Sequence, residues 1–191
     1  MSEERRIRGN HVIPLLRYIQ SSYDQNTQQT IYESLSDATR GTLEDLDTDV
    51  WYPASVVADL HRGLFAAQKD PEKGYAAIRD SGAAVAEYGV NTFMRLLIKL
   101  MTPEMLAKKW PAIWSKSHNF GKMRTALDQS TDRKLNLSLS EVDQYSYIGP
   151  CAVGFLSYSL KAMGRKDANV VERDLDYARE CAPAYNFEIT W

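Results

Sequence analysis

The stretch CAPAYNFEITW, residues 181–191, alternates strictly between two kinds of side chain. Its apolar or aromatic positions are Tyr185, Phe187, Ile189 and Trp191, and the residues between them are polar. A period of two is typical of a β-strand with one buried face, because successive side chains of a strand point to opposite faces of the sheet. We therefore expect this segment to lie in a sheet whose apolar face is closed by helices.

Three further segments in the same half of the chain support a sheet. Segments 121–130 and 131–142 alternate around turn-forming residues and predict a β-hairpin, and 169–180 would pair with the final strand. Between the two strand pairs, Pro150 suits the start of a helix and Gly164 its end. The predicted fold class is therefore α+β, with a four-stranded antiparallel sheet, a crossing helix and a helical N-terminal part.

The residues before Gly121 predict helices. Apolar side chains recur at helical spacing in segments 11–23, 26–43, 53–68, 70–89, 90–101 and 102–119. Gly41 is expected to end the second of these helices. We interpret residues 1–191 as a single domain with three parts, which are a helical arm or dimerisation element at 1–45, a helical layer at 46–120 and the sheet part at 121–191.

Composition and charge argue against several classes of protein. The net charge is −2 and no long basic stretch exists, so a nucleic-acid partner is not expected. The N-terminal MSEERRIRGN lacks the apolar core of a secretory signal. The longest apolar stretch, 93–101, is interrupted by Arg95 and Lys99 and is too short to span a bilayer. With only two cysteines and no disulfide framework, we expect a cytoplasmic protein with reduced thiols.

Three short motifs carry a resemblance to known proteins. They are Trp51-Tyr52-Pro53 before a predicted helix, Cys151 with Gly154-Phe155-Leu156 in the crossing helix, and Cys181 before the alternating strand. With the order of elements, they resemble the superfamily that includes the vinyl-4-reductase domain, the heme-NO-binding domain and the Bet3-like subunits of vesicle-tethering complexes. Within it, the chain looks most like a large bacterial family of uncharacterised paralogues. A second cysteine that relatives often carry before the last strand is absent, which argues against a metal or redox role there.

The resemblance raises the question of heme. Heme-NO-binding relatives use a helix histidine and a Tyr-x-Ser-x-Arg motif, and the nearest strings, Tyr145-Ser146-Tyr147 and Tyr158-Ser159-Leu160, do not match. His118 lies near the right region, but we expect a cap or surface role for it. We interpret His11 and His61 as structural or exposed. The resulting expectation is that no cofactor binds and that heme in particular is disfavoured.

The sequence contains no recognisable motif for metal binding or catalysis. Cys151 and Cys181 are far apart, and the chain has no C-x-x-C or H-x-x-x-H pair for zinc. It also has no G-x-S-x-G, Walker loop or Gly-rich dinucleotide turn. Glu172, Asp174 and Asp176 alternate along a strand, which is typical of a solvated face. We therefore expect no enzymatic activity and assign no catalytic or metal-binding residue.

Cys151 allows two interpretations. It lies near a helix N-terminus, where the helix dipole lowers the pKa of a thiol. In Bet3-like relatives a cysteine near a comparable element carries a lipid. A buried structural cysteine is nevertheless the more common case.

Aromatic residues are concentrated in the C-terminal half of the chain. Core packing explains most of them, but a lining of aromatic and hydroxyl groups also suits an apolar pocket. In relatives, the space between the helices and the sheet holds a small apolar or aromatic effector. The resemblance therefore implies a ligand pocket here, which we assign to Trp110, Trp114, Tyr147, Cys151, Phe155 and Tyr158.

The leading interpretation is a non-enzymatic regulatory or signalling module that binds a small apolar molecule and modulates a protein partner. The first alternative is a ligand-free module for protein–protein interaction or homodimerisation, with residues 11–40 as its surface. A heme-based gas sensor is less favoured than either. All three rest on analogy of fold, because no motif in the chain fixes a chemistry.

Overall fold

The computed structural model describes residues 4–89, 98–128, 133–143, 145–173 and 175–191. Within these ranges, seven helices pack against a four-stranded sheet and a smaller two-stranded one, so the predicted α+β class is confirmed. The helices are α1 (Gly9–Ser22), α2 (Gln25–Glu33), α3 (Asp37–Leu43), α4 (Ser55–Ala67), α5 (Pro71–Gly89), α6 (Pro103–Ser117) and α7 (Ile148–Ala162). The strands are β1 (Arg6–Arg8), β2 (Trp51–Pro53), β3 (Lys122–Leu127), β4 (Lys134–Ser140), β5 (Asn169–Glu172) and β6 (Ala184–Thr190).

The alternating C-terminal segment forms β6, a central strand of the larger sheet. The strand order is β3-β4-β6-β5 and every neighbouring pair is antiparallel. Leu135 lies opposite Ile189, and Leu137 lies opposite Phe187. All four side chains are almost completely buried. The period of two in the sequence thus fixes which face of the sheet meets the helices.

The sequence did not predict the two-stranded sheet. β1 pairs with β2, so that Ile7 lies opposite Tyr52, and Ile7 also forms an isolated β-bridge with His118. Residues predicted as the end of an acidic loop are therefore a strand, and α4 begins at Ser55 rather than at Pro53. Strands of three residues are too short to show an alternation.

The helix predicted at 26–43 is two helices. α2 ends at Glu33, and α3 begins after Ser36, whose side chain accepts a hydrogen bond from the backbone N–H of Thr39. The Ser36 hydroxyl in turn donates to Asp59 of α4 at 2.7 Å. This cap stabilises a new helix start at Ser36. Gly41 consequently lies inside α3 and does not end a helix.

Glu172 is buried, which contradicts the prediction that Glu172, Asp174 and Asp176 form a solvated row. Its side chain faces the buried side of β5, where Arg179 donates a hydrogen bond at 2.7 Å and Tyr75 donates one at 3.2 Å. Burial raises the pKa of Glu172, and the Arg179 charge opposes that rise. Asp174 lies outside the described residues, and Asp176 is exposed.

Helices α5 and α7 approach each other at two glycines. A Cβ atom on Gly82 would lie 2.0 Å from the carbonyl oxygen of Cys151, and one on Gly154 would lie 1.7 Å from that of Arg79. Any side chain at these positions would collide with the opposite backbone. The contact holds α7 against α5, and it therefore sets the position of the side chains that α7 presents to the interior.

One hydrophobic core runs from Ile7 and Val12 near the start of the chain to Ile189 in β6. The division into an arm, a helical layer and a sheet part stays a prediction. Most of the helix predicted at 90–101 lies outside the described residues. In the described ranges, no helix combines the length and the apolar character that crossing a membrane requires.

Candidate ligand-binding site

A cavity of about 50 Å³ lies between α1, α6 and α7. Its lining is largely apolar and aromatic, and it consists of His11, Val85, Trp110, Ile113, Trp114, His118, Met123, Tyr145, Ile148, Cys151, Ala152, Phe155 and Leu156. A single buried water needs roughly 10–15 Å³ of such volume. In this conformation the cavity therefore accommodates a group of only a few heavy atoms.

Helix α6 presents two tryptophans to the cavity. The helix starts at Pro103 behind the Thr102 cap, and Trp110 and Trp114 lie one turn apart on the same face. The indole N–H of Trp114 donates to the carbonyl oxygen of Phe120 at 2.7 Å. The indole N–H of Trp110 is buried and has no acceptor within the described part of the chain.

His118 is the residue that caps the C-terminal end of α6, and it is buried. Its backbone N–H and its ring Nδ1 both lie within hydrogen-bond distance of the Trp114 carbonyl oxygen, at 2.9 and 3.2 Å. Burial, and secondarily the nearby imidazole of His11, lowers the pKa of His118 well below its ordinary value of 6.5. The ring is therefore neutral at pH 7. Because a carbonyl can only accept, Nδ1 carries the proton, and Nε2 keeps a free lone pair.

His11 of α1 is the second imidazole of the cavity. Its ring centroid lies 4.8 Å from that of His118 in an edge-on arrangement, and its ring stacks at 6.3 Å on Phe155. Burial lowers the pKa of His11 to about 4. Two neutral imidazoles, brought together by α1 and the C-terminal end of α6, are thus among the few polar groups of a largely apolar site.

The structure brings together four of the six residues assigned to the pocket. Trp110, Trp114, Cys151 and Phe155 all line the cavity. The other two lie elsewhere. Tyr147 stacks on Phe65 with ring centroids 4.3 Å apart. Tyr158 lines a separate groove between α5, α7 and β5.

The pKa of the Cys151 thiol contradicts one of its two interpretations. Cys151 lies in the first turn of α7, as predicted, but burial raises its pKa to about 12 instead of the helix dipole lowering it. The protonated thiol is a poor nucleophile. Cys181 is also a free cysteine, and burial raises its pKa as well.

The histidines differ in part from their predicted roles. His118 caps a helix, as expected, but it is buried rather than on the surface. His61 is also buried, and its Nδ1 lies 3.1 Å from the carbonyl oxygen of Ser146, while burial lowers its pKa to about 4. Sequence reasoning did not bring His11 and His118 together, because they are far apart in the chain and share no motif. Tyr145 and Met123 were also absent from the predicted pocket.

Comparisons with known proteins identify the fold. No protein-family model and no curated protein sequence matches the chain. The Fe(II) unliganded H-NOX protein from K. algicida has a similar structure, with a TM-score of 0.69, 11% sequence identity and 96% of each chain covered. An H-NOX protein from S. oneidensis in the Fe(II)NO ligation state gives a TM-score of 0.68 at 12% identity, over 96% of this chain and 98% of that one.

A third similar structure is of a protein in which heme redox potential is modulated through protein-induced porphyrin distortion. Its TM-score is 0.58 at 11% identity, over 97% of this chain and 100% of that chain. At these identities the likeness shows the fold, which is the heme-NO-binding fold. That part of the resemblance is confirmed, and membership in the paralogue family stays a prediction.

These neighbours contradict the expectation that no cofactor binds and that heme is disfavoured. They are Fe(II) proteins or a heme protein, and each covers nearly the whole chain. The expectation rested on the missing Tyr-x-Ser-x-Arg motif. A motif is only one way to supply a ligand site, and the absence of one motif does not exclude the cofactor.

The cavity lining fits an iron porphyrin in its donor chemistry. A metal-bound imidazole usually donates its other ring N–H to a carbonyl or carboxylate, as His118 does to Trp114. The apolar lining suits the faces of a macrocycle. The volume of about 50 Å³ is too small for one, so the cavity would have to widen. The described residues of the lining include no Arg or Lys that could pair with the carboxylates of a porphyrin.

Proposed function

We propose that the chain is a non-enzymatic sensor module that binds a small ligand in the cavity between α1, α6 and α7. The observation that carries the proposal is an apolar, aromatic cavity whose lining includes two neutral imidazoles 4.8 Å apart. Ligand sites in proteins usually combine an apolar lining with a few placed polar groups. The proposal includes a cytoplasmic location, a protein partner and kinship with the bacterial paralogue family.

Helix α7 connects the cavity lining to the backbone contact between Tyr147 and Glu180. Ile148 and Phe155 of this helix line the cavity, whereas Tyr147, just before it, has a left-handed backbone with φ of 56°. The backbone N–H of Tyr147 donates to the carbonyl oxygen of Glu180 at 2.7 Å. If a ligand has a different affinity for the protein in two alternative positions of α7, it shifts the balance between these positions, and it would move Tyr147 and its contact with Glu180 too.

An iron porphyrin is the first ligand to test. His118 would hold the iron through Nε2, and the Trp114 carbonyl would fix the required tautomer. Phe155, Ile148 and the α6 tryptophans would contact the macrocycle and exclude water. When bound, the group would supply an iron position for a diatomic gas.

The test is a titration of the purified chain with hemin, followed by absorption spectroscopy. We expect a saturable Soret band at one equivalent in the wild type and its loss in His118→Gln. His61→Gln is the matched control, because His61 is equally buried but contacts Ser146 and does not line the cavity. The melting temperature of each variant shows whether it folds.

A small neutral molecule is the second candidate ligand, and the present volume of the cavity favours it. A ligand that binds only the folded state raises the melting temperature, and a tighter ligand raises it further. We expect small apolar probes to do so in the wild type and not in Phe155→Ala. Failure of both hemin and small probes would leave the ligand-free interaction module, which sedimentation analysis would then detect as a dimer or complex.

A further inference from the structure

The indole N–H of Trp110 is a buried donor without an acceptor in the described part of the chain. Trp110 is 2% exposed and lines the cavity. A tryptophan N–H usually finds a partner when the ring is buried. An unmade hydrogen bond inside a protein carries a free-energy penalty, so an unpartnered donor in a native structure calls for an explanation.

Trp114 provides the contrast within the same helix. Its ring lines the same cavity, but its indole N–H is bonded to Phe120. Other buried polar atoms also lack a partner in the described residues, and they belong to Arg5, Arg8, Asn10, Arg179 and Tyr185. None of these five residues lines the cavity. Among the described residues that line the cavity, Trp110 is therefore the one whose side chain has a fully buried polar atom without a partner.

We infer that the cavity takes a neutral ligand with a hydrogen-bond acceptor, such as a carbonyl or ether oxygen, and that Trp110 donates to this acceptor. The inference rests on the proposed ligand-binding function, and it gives the chemical class of the second candidate ligand, the small neutral molecule, rather than of an iron porphyrin. The apolar lining favours an uncharged molecule, because a buried charge without a partner is costly. The small cavity favours a compact one.

Two probes of equal shape separate the acceptor from the apolar part of the ligand. Acetone carries a carbonyl oxygen where the alkene 2-methylpropene carries a CH₂ group, so they differ chiefly in the acceptor, and both are small enough for the cavity. Binding would be followed by ¹H–¹⁵N NMR of the indole signals of the four tryptophans, together with the methyl signal of Met123 in the cavity wall. The Trp114 signal is the internal control.

The expected result is a downfield shift of the Trp110 N–H signal with the ketone and no such shift with the alkene. The ketone should bind roughly 3- to 10-fold more tightly than the alkene in the wild type, as one neutral hydrogen bond allows. In Trp110→Phe the preference for the ketone should be lost or reversed, because its buried carbonyl oxygen then has no donor. If that variant does not fold, the wild-type spectra still decide, with the indole signals assigned directly.

Three results would overturn the inference. A Trp110 N–H signal already at a hydrogen-bonded position in the free protein would show that the donor has a partner. If both probes move the Met123 signal but neither moves Trp110, the ligand site stands and its acceptor chemistry is wrong. If neither probe changes any signal, both the ligand class and the small-ligand function fail.

Discussion

The imidazole of His118 lies flat against the indole of Trp114, with ring centroids 3.7 Å apart and an angle of 2° between the planes. The same histidine bonds to the Trp114 carbonyl oxygen one turn back. The pair closes the C-terminal end of α6 and forms one wall of the cavity. Burial on every side keeps the imidazole neutral, which makes the stability of the fold sensitive to acid.

Acidification from pH 7 to pH 5 should destabilise the protein. His11 and His61 have a folded pKa of about 4, below the 6.5 of the unfolded chain, and that of His118 is lowered in the same direction. The unfolded state therefore binds more protons in this window, and stability falls as the pH falls. Because the folded pKa values of His11 and His61 lie near 4, each of these two histidines should contribute a loss of about 2 kcal/mol at pH 5. Urea unfolding at both pH values measures it.

The histidine variant His61→Asn isolates this effect from the carboxylates. Burial raises the pKa of Glu172, so this group stabilises the fold as the pH falls. The pH dependence of the wild-type stability therefore combines the titration of several groups. The loss between pH 7 and pH 5 should be smaller in His61→Asn than in the wild type. Equal losses in the two proteins would show that folding leaves the pKa of His61 near its ordinary value of 6.5.

Replacement of a glycine at the crossing of α5 and α7 should be costly. In Gly82→Ala the new Cβ would meet the Cys151 backbone, which cannot rotate away as a side chain can. We expect a loss of about 3 kcal/mol in the free energy of unfolding. Gly41→Ala in α3 is the matched control, because a Cβ atom on Gly41 would meet no described atom within 4 Å.

The control should change stability in the other direction. Alanine has a higher helix propensity than glycine by up to about 1 kcal/mol, so Gly41→Ala should stabilise the protein slightly. Chemical denaturation of the two variants measures both effects. A Gly82→Ala protein as stable as the wild type would mean that the two helices lie further apart than described.

The buried pair of Glu172 and Arg179 should matter more than a surface pair. Arg179→Met leaves the Glu172 carboxylate with only the Tyr75 hydroxyl, and we expect a loss of roughly 1–3 kcal/mol. The control is Arg173→Met, which breaks the more exposed pair with Glu188 and should cost less stability than Arg179→Met.

The pH dependence of this loss identifies its cause. Without Arg179 the pKa of Glu172 should rise further, because the opposing positive charge is gone. Protonation would then relieve the buried charge, so the deficit of Arg179→Met should be smaller at pH 5 than at pH 8. A deficit equal at both pH values would assign the loss to packing of the arginine side chain.

Much of the fold could be predicted from local patterns. The alternation at Leu135, Leu137 and Leu139 gives the buried face of β4, and the Thr102 cap gives the start of α6. The sheet of β1 and β2 was missed because strands of three residues are too short to show an apolar–polar alternation. The break at Ser36 was missed because the helical spacing of Ile31 and Leu35 continues across it to Ala38.

The site could be predicted only in part. Trp110 and Trp114 are one turn apart in α6, and Cys151 and Phe155 are one turn apart in α7, so each pair shares a helix face. His11 enters the cavity from α1, which the topology alone brings near α6. Glu172 was expected in solvent because its charge usually demands it. Its partners are Tyr75 of α5 and Arg179 of the loop after β5, and no periodic pattern in the sequence connects either side chain to Glu172.

The measurement that tests the ligand site most directly is native mass spectrometry of the freshly purified chain, together with its absorption spectrum. We predict a non-covalent adduct that is lost on denaturation, and its mass would distinguish a porphyrin from a small neutral molecule. A chain that shows only its own mass and no visible absorption, and that neither hemin nor the small probes shift, would contradict the proposed ligand site.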